Sequence, residues 1–142
     1  MRRRELLTAP LLLAALALAG SACGGDEDEG TAKKACDPAP SAMATAPTMP
    51  GGFPTADGVT WTGSRKDGPS TIVEGYRQGE VADGFDAWET AVKNASGWSV
   101  TKDEQEDFDA EVNFAGHAQS GQVKLKQACK DRTSVTITFR PD

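Results

Sequence analysis

The chain has 142 residues, with 15 Lys plus Arg against 21 Asp plus Glu, and a net charge of -6 at neutral pH. This length allows one small folded domain with a modest hydrophobic core. The acidic balance argues against nucleic acid as a partner, and against a bilayer recognised by charge alone, because both require a basic protein surface.

The first 22 residues have the pattern of an export signal. A basic start, Arg2–Arg4, precedes an apolar stretch from Leu6 to Ala19 that small residues follow. The stretch contains Pro10 and is shorter than the ~20 apolar residues of a membrane-spanning helix, so a cleaved signal is favoured over an uncleaved helix. An ordinary secreted protein cut nearby is the other alternative.

Cys23 ends the run Gly20-Ser21-Ala22-Cys23, which resembles the lipobox of bacterial lipoprotein precursors, although Gly20 stands where those precursors usually have Leu. The resemblance implies that the Cys23 thiol receives a diacylglyceryl group and that the signal is cut just before this residue. It also implies a mature protein anchored to the cell membrane and facing the extracytoplasmic side. Two acyl chains hold a protein to a bilayer, whereas one barely does.

Three cysteines are an odd number for an exported protein. If Cys23 is lipidated, Cys36 and Cys129 remain as a pair outside the cytoplasm, where disulfides persist. We expect these two residues to form a disulfide, with two free or buried thiols as the alternative. A bridge that spans most of the mature chain would stabilise the fold by about 4 to 5 kcal/mol in the chain-entropy picture.

Residues 23–54 are rich in Gly, Ala, Pro, Thr and acidic residues and have few large apolar side chains. This composition predicts a partly extended tether between the lipid anchor and a folded domain at residues 55–142. If Cys36 pairs with Cys129, only residues 24 to about 35 remain as a free spacer. Without residues 1–22, which hold three arginines and one glutamate, the net charge changes from -6 to -8.

The folded domain is predicted to be α+β, with one helix packed on an antiparallel sheet of about five or six strands in the order strand-strand-helix-strands. The helix is predicted from residue 82 or 83 to Ala95, with Asp83 as N-cap and an apolar stripe that includes Phe85 and Trp88. A loose turn is expected at residues 63–69. The strands are predicted from period-two alternation and β-branched or aromatic runs at residues 59–62, 71–76, 98–101, 108–114, 123–129 and 134–140.

Three short runs carry a further resemblance. They are the segment from Pro54 to Thr60, the Gly97-Trp98-Ser99-Val100 run after the helix, and the strand from Gly121 to Leu125. With the element order they look like the small sensor-like or inhibitor-like domains of uncharacterised actinobacterial lipoproteins. This resemblance implies a scaffold and a cell-envelope location, and it carries over no functional residues.

Candidate catalytic and metal-binding residues are few. His117, the only histidine, shares a predicted turn with Ser120, and we interpret it as an exposed turn residue because a Ser-His site also needs an orienting group and an oxyanion hole. The acidic stretch Asp103–Asp109 does not fit an EF-hand, since Phe108 and Phe114 stand where the glycine and the bidentate glutamate belong. We therefore expect no enzymatic activity, no metal and no cofactor.

Together these features predict a lipid-anchored, extracytoplasmic, non-enzymatic module that binds a protein or a cell-wall component at the envelope. Aromatic residues near element ends, Phe53, Trp61 and Trp98, are expected to be partly exposed and are the candidates for an interaction patch. The alternative is a carrier of a small apolar ligand, which needs a cavity between Phe85, Trp88 and the strands. A small hydrolase built on the turn histidine and serine is a third hypothesis.

Overall fold

The structure, a computed structural model, describes residues 30–142. Six strands form an antiparallel sheet, and one main helix connects the second strand to the third. The expected α+β domain, with a helix on an antiparallel sheet, is confirmed in this coarse form. The elements are β1 (Val59–Asp67), β2 (Ser70–Gln78), α1 (Val81–Asn94), β3 (Trp98–Gln105), β4 (Asp109–Gly116), β5 (Gln119–Cys129) and β6 (Arg132–Pro141).

The strands lie in the order β1-β2-β6-β5-β4-β3 across the sheet. Strands β3 to β6 form a meander in which each strand pairs with the next, and β6 then pairs with β2. Helix α1 therefore carries the chain from β2 to the far edge of the sheet. In the sequence, the helix and three strands lie between β2 and β6. Because the two strands are so far apart along the chain, no local pattern indicates that they pair.

One face of the sheet forms the core. Alternate residues of the central strands are fully buried, and Val112, Val123, Ile137 and Val73 lie in register across four neighbouring strands. The buried stripe of α1, which includes Trp88, packs over β3, β4 and β5. Period two in the strands and period 3.6 in the helix thus place their apolar residues against each other.

The opposite face of the sheet is polar and open to solvent. One row across it contains Glu74, Thr136, Lys124, Glu111 and Glu104 in register. Within this row the Lys124 ammonium forms an ion pair with the Glu111 carboxylate at 3.2 Å. Such alternation of buried and solvated positions is typical of an antiparallel sheet with one covered face.

Two local predictions are wrong in detail. The expected loose turn at residues 63–69 is mostly strand, because the β1-β2 hairpin turns at Gly68 and Pro69 and Gly68 adopts the positive φ that a tight turn requires. Helix α1 begins at Val81 with Glu80 as N-cap, and Asp83 lies in its first turn. The start of the helix depends on a hydrogen bond to a distant strand, which the local sequence does not reveal.

The segment before β1 is part of the packed domain. Met49, Phe53 and Ala56 are buried in the core, with Phe53 only 3% exposed. A short 3₁₀ turn at Pro50–Gly52 precedes Phe53. The packed part of the chain therefore begins before residue 55, because this proline- and glycine-rich segment contributes the Phe53 ring to the core.

Candidate functional site

The disulfide between Cys36 and Cys129 lies at one end of the sheet, where Cys129 is the last residue of β5. The two Cα atoms are 5.1 Å apart. Beside the bridge, the Lys130 amide donates a hydrogen bond of 2.8 Å to the Lys34 carbonyl. The structure thus contains the disulfide expected from the cysteine count, and it fastens the start of the described chain to the β5-β6 turn.

Gln127 organises the same end of the domain from a buried position, 5% exposed. Its Oε1 accepts a hydrogen bond of 3.1 Å from the Val81 amide, the first residue of α1, and one of 3.4 Å from the Thr133 hydroxyl. Its Nε2 lies within hydrogen-bonding distance of four backbone carbonyls, those of Gly79, Cys129, Lys130 and Arg132. One amide therefore holds the helix start, the end of β5 and the β5-β6 turn together.

A cavity of about 430 Å³ opens beside Gln127, between Phe108, Lys130 and the first residues of α1. Its buried polar side chain is the Gln127 amide, whose oxygen and nitrogen both already have partners within the protein. A ligand in this cavity would have to compete with those internal hydrogen bonds. We therefore do not place the candidate site here.

The aromatic residues meet around Phe53, in the space between α1 and the sheet. The Phe53 ring centroid lies 4.1 Å from that of Phe114, 4.9 Å from Trp98, 5.1 Å from Phe139 and 6.2 Å from Trp88. These rings come from β4, β3, β6 and α1. Phe53 thus fills the region beside Trp88 where a carrier of an apolar ligand would need its cavity.

Both indoles in this cluster have an unpaired N–H group. Trp88 is fully buried and Trp98 is 7% exposed, yet the Nε1 atom of neither has a hydrogen-bond partner within residues 30–142. Buried indole N–H groups usually have an acceptor. The prediction that Phe53 and Trp98 are partly exposed is wrong, while Trp61 is half-buried and lies 6.3 Å from Trp88. We take this aromatic cluster as the candidate functional site.

His117 and Ala118 form the two-residue turn between β4 and β5, with φ angles of 50° and 56°. The His117 Nε2 atom lies 3.2 Å from the Ser96 carbonyl oxygen, and its ring centroid lies 5.2 Å from that of Trp98. Ser120 pairs with Ala115 in the sheet. The structure thus directs His117 to the loop after α1, and no hydrogen bond joins it to Ser120 in the described chain.

The acidic stretch forms the end of β3 and the turn into β4. The Glu106 amide donates a hydrogen bond of 2.8 Å to the Asp109 carbonyl, and the Lys102 ammonium contacts the Glu104 carboxylate at 3.1 Å. Across residues 30–142, no three His, Cys, Asp or Glu side chains are grouped so that they could hold a metal ion.

Two carboxyl groups meet where α1 faces β3. Hydrogen bonding to Lys93 lowers the pKa of Glu89, and a hydrogen bond with Asp103 lowers it further. The same contact with Glu89 raises the pKa of Asp103, because a proton on Asp103 is shared with the neighbouring carboxylate. Asp103 therefore stabilises the fold most at low pH and loses this contribution as the pH rises through its raised pKa, whereas the Glu89 contribution is lost as the pH falls.

We expect an NMR titration of the carboxyl carbons to give a pKa above the ordinary value for Asp103 and below it for Glu89. Replacing Lys93 with Met should raise the pKa of Glu89, because the Lys93 ammonium is the larger cause of its lowered value. Lys66→Met, which removes an ammonium bonded to Thr71 in the first hairpin, serves as the control and should leave both values unchanged. An Asp103 that titrates at or below its ordinary pKa would contradict the shared proton.

Cys23 and the signal predicted at residues 1–22 lie outside the described residues. Within residues 30–142, no helix has the length and apolar character needed to cross a membrane. A scan against protein-family models, a search of curated proteins and a search of solved structures each found no match to this chain.

Proposed function

We propose that the chain is a lipid-anchored extracytoplasmic binding module, held to the cell membrane through Cys23. The observation that carries this proposal is the Cys36–Cys129 disulfide. Disulfides persist in oxidising compartments outside the cytoplasm, and pairing of these two residues leaves Cys23 as the odd cysteine. The odd cysteine is the one that follows a signal-like stretch and ends a lipobox-like run.

The disulfide also limits the distance from the anchor. Six residues lie between Cys23 and Gly30, where the described chain begins, so these seven Cα–Cα steps can span at most about 25 Å. The disulfide end of the domain would therefore stay close to the bilayer. The β1-β2 turn at Gly68 and the β4-β5 turn at His117 lie at the other end of the sheet and would face away from the membrane.

The open polar face of the sheet supports a binding role. Helix α1 packs on the other face, and this face presents Tyr76 with the Arg132 guanidinium 5.4 Å from the centre of its ring. The Asp37 carbonyl accepts a hydrogen bond of 2.7 Å from the same guanidinium at one end of this face. On the same face the Gln122 amide donates a hydrogen bond of 2.7 Å to the Glu111 carboxylate. These polar groups can exchange hydrogen bonds with a protein or wall component that settles on the sheet.

Replacing Cys23 with Ser should move the protein from the membrane fraction to the soluble fraction of the producing bacterium. Serine has no thiol to alkylate, so the acyl chains that supply the membrane affinity are not attached. The measurement is fractionation followed by a mass spectrum of the intact protein. The wild type should show the mass of the chain from Cys23 onward plus a diacylglyceryl group, and Cys23→Ser should lack that addition.

Cys36→Ser combined with Cys129→Ser is the matched control. It removes the other two cysteines and should leave lipidation and membrane association of any protein that accumulates unchanged. If Cys23→Ser has lost residues 1–22 and still remains membrane-bound to the same extent as the wild type, the lipid anchor is excluded. A wild-type mass without a lipid addition excludes it equally.

A further inference from the structure

Residues 49–54, which we call the strap, place Phe53 between α1 and the sheet. Side-chain packing holds the strap, because residues 38–58 form a single backbone hydrogen bond to the rest of the domain, from the Met43 amide to the Trp61 carbonyl at 2.8 Å. The other backbone hydrogen bonds of this segment close within the strap itself. Lifting the strap out of the cleft therefore breaks no hydrogen bond of the sheet or of the helix.

Two adjacent glycines shape the strap. Gly51 and Gly52 have φ angles of 59° and 65°, in the region that other residues rarely adopt. At Gly51 the backbone also passes so close to the indole of Trp98 that a Cβ would lie 2.9 Å from a ring carbon. Pro50 and Pro54 flank this turn and restrict its φ angles. The strap is thus a compact turn that carries Phe53 into the cleft as one unit.

Two hydrogen-bond donors in the rings that contact Phe53 have no partner. Its ring lies beside the indoles of Trp88 and Trp98, whose N–H groups are buried without a partner. A phenyl ring satisfies an N–H donor poorly, whereas an oxygen acceptor in the same place would satisfy it well. The rings of Phe114 and Phe139 supply apolar walls that suit a flat molecule.

We propose that the cleft now occupied by Phe53 is a binding site for a flat, apolar molecule that carries a carbonyl or ether oxygen. The ligand takes the place of the Phe53 ring, the strap moves aside, and an indole N–H of Trp88 or Trp98 donates to the ligand oxygen. The site lies within the domain and does not depend on the lipid anchor. The two proposals are therefore independent: a result that contradicts ligand binding does not bear on the lipid anchor, and a result that contradicts the lipid anchor does not bear on ligand binding.

The test uses two probes of nearly equal size, 2-acetylnaphthalene and 2-ethylnaphthalene, of which only the first has an acceptor oxygen. Each is titrated into the disulfide-bonded mature protein while the backbone amide resonances and the three indole N–H resonances are followed by NMR. We expect 2-acetylnaphthalene to bind at least tenfold more tightly and to shift the resonance of Trp88 or Trp98 downfield. Trp61, which is half-buried outside the cleft, should respond less.

Substitutions of Phe53 in the strap and of the two tryptophans test whether the cleft is a binding site or only part of the core. Phe53→Ala should bind 2-acetylnaphthalene about 100-fold more tightly than the wild type, because the strap no longer competes for the cleft. If the alanine variant does not fold, Phe53→Leu replaces it, because leucine keeps an apolar side chain at this position. This variant should also bind 2-acetylnaphthalene more tightly than the wild type. Trp88→Phe or Trp98→Phe should weaken binding of 2-acetylnaphthalene about tenfold and leave that of 2-ethylnaphthalene unchanged.

Three results would overturn the proposal. The first is a wild-type protein whose indole resonances respond to neither probe, which would leave Phe53 as a core residue only. The second is equal affinity for the two probes, which would remove the role of the indole donors. The third is binding that shifts resonances at the cavity beside Gln127 and leaves those of Trp88 and Trp98 unchanged.

Discussion

Replacing both Cys36 and Cys129 with serine should lower the free energy of unfolding by about 4 kcal/mol. The bridge joins residues 93 positions apart and therefore restricts nearly the whole chain of the unfolded domain. Its loss raises the conformational entropy of the unfolded state and so stabilises that state relative to the fold. Once the bridge is gone, the N-terminal segment keeps the Lys130 to Lys34 hydrogen bond and one of 2.7 Å from the Arg132 guanidinium to the Asp37 carbonyl. Chemical denaturation of the purified protein measures the change.

Reductant provides the matched control for this prediction. It should destabilise the wild type by about the same amount and leave the doubly substituted variant unaffected, because that variant has no bridge to reduce. A loss below about 1 kcal/mol would indicate that the reduced, unfolded chain retains enough structure to cancel the entropic effect. The total free energy of unfolding of a domain of this size is small, so a loss of about 4 kcal/mol should leave a large unfolded fraction at 37 °C.

The strands and the helix could be predicted because their signals are local. Val135, Ile137 and Phe139 alternate with threonines and serine, and all three are buried in β6. Phe85 and Trp88 mark the inner side of α1 in the same way. The strand order could not be predicted, since the pairing of β6 with β2 depends on packing between distant parts of the chain.

Local sequence patterns did not indicate the candidate site. Phe53 stands among prolines, glycines and alanines, a composition that predicts an extended tether, and one aromatic ring changes that composition little. The structure shows that this ring meets four others, because Gly51 and Gly52 turn the chain back toward the core. The only available signal was the isolated large side chain itself, flanked by Gly-Gly and Pro.

Gln127 shows a second limit of sequence patterns. In β5 it continues the alternation of Val123 and Leu125, so the pattern places it on the core face, where a glutamine would ordinarily be unfavourable. Its partners are backbone groups of the helix start and of the β5-β6 turn, which become neighbours only in the folded chain. A polar residue at an apolar position of a strand is the sequence sign of such an internal network.

Replacing Gln127 with Leu should destabilise the domain by about 3 kcal/mol or more. Leucine has a similar size but removes the buried hydrogen bonds of Gln127 to the Val81 amide and to the Cys129 carbonyl, and each buried group left unsatisfied costs about 1 to 3 kcal/mol. Gln127→Glu should also be strongly destabilising at neutral pH. It keeps an acceptor for Val81 but directs a second carboxylate oxygen at the carbonyls that the amide nitrogen now contacts.

Gln122→Leu is the matched control, because Gln122 lies in the same strand on the solvent face and bonds to the Glu111 carboxylate. Its loss should change the free energy of unfolding by less than about 1 kcal/mol. Denaturant titrations of the three variants under oxidising conditions give the comparison with the disulfide intact. Equal losses at Gln127 and Gln122 would contradict the central role of Gln127, since burial of the amide is the property that separates these two residues.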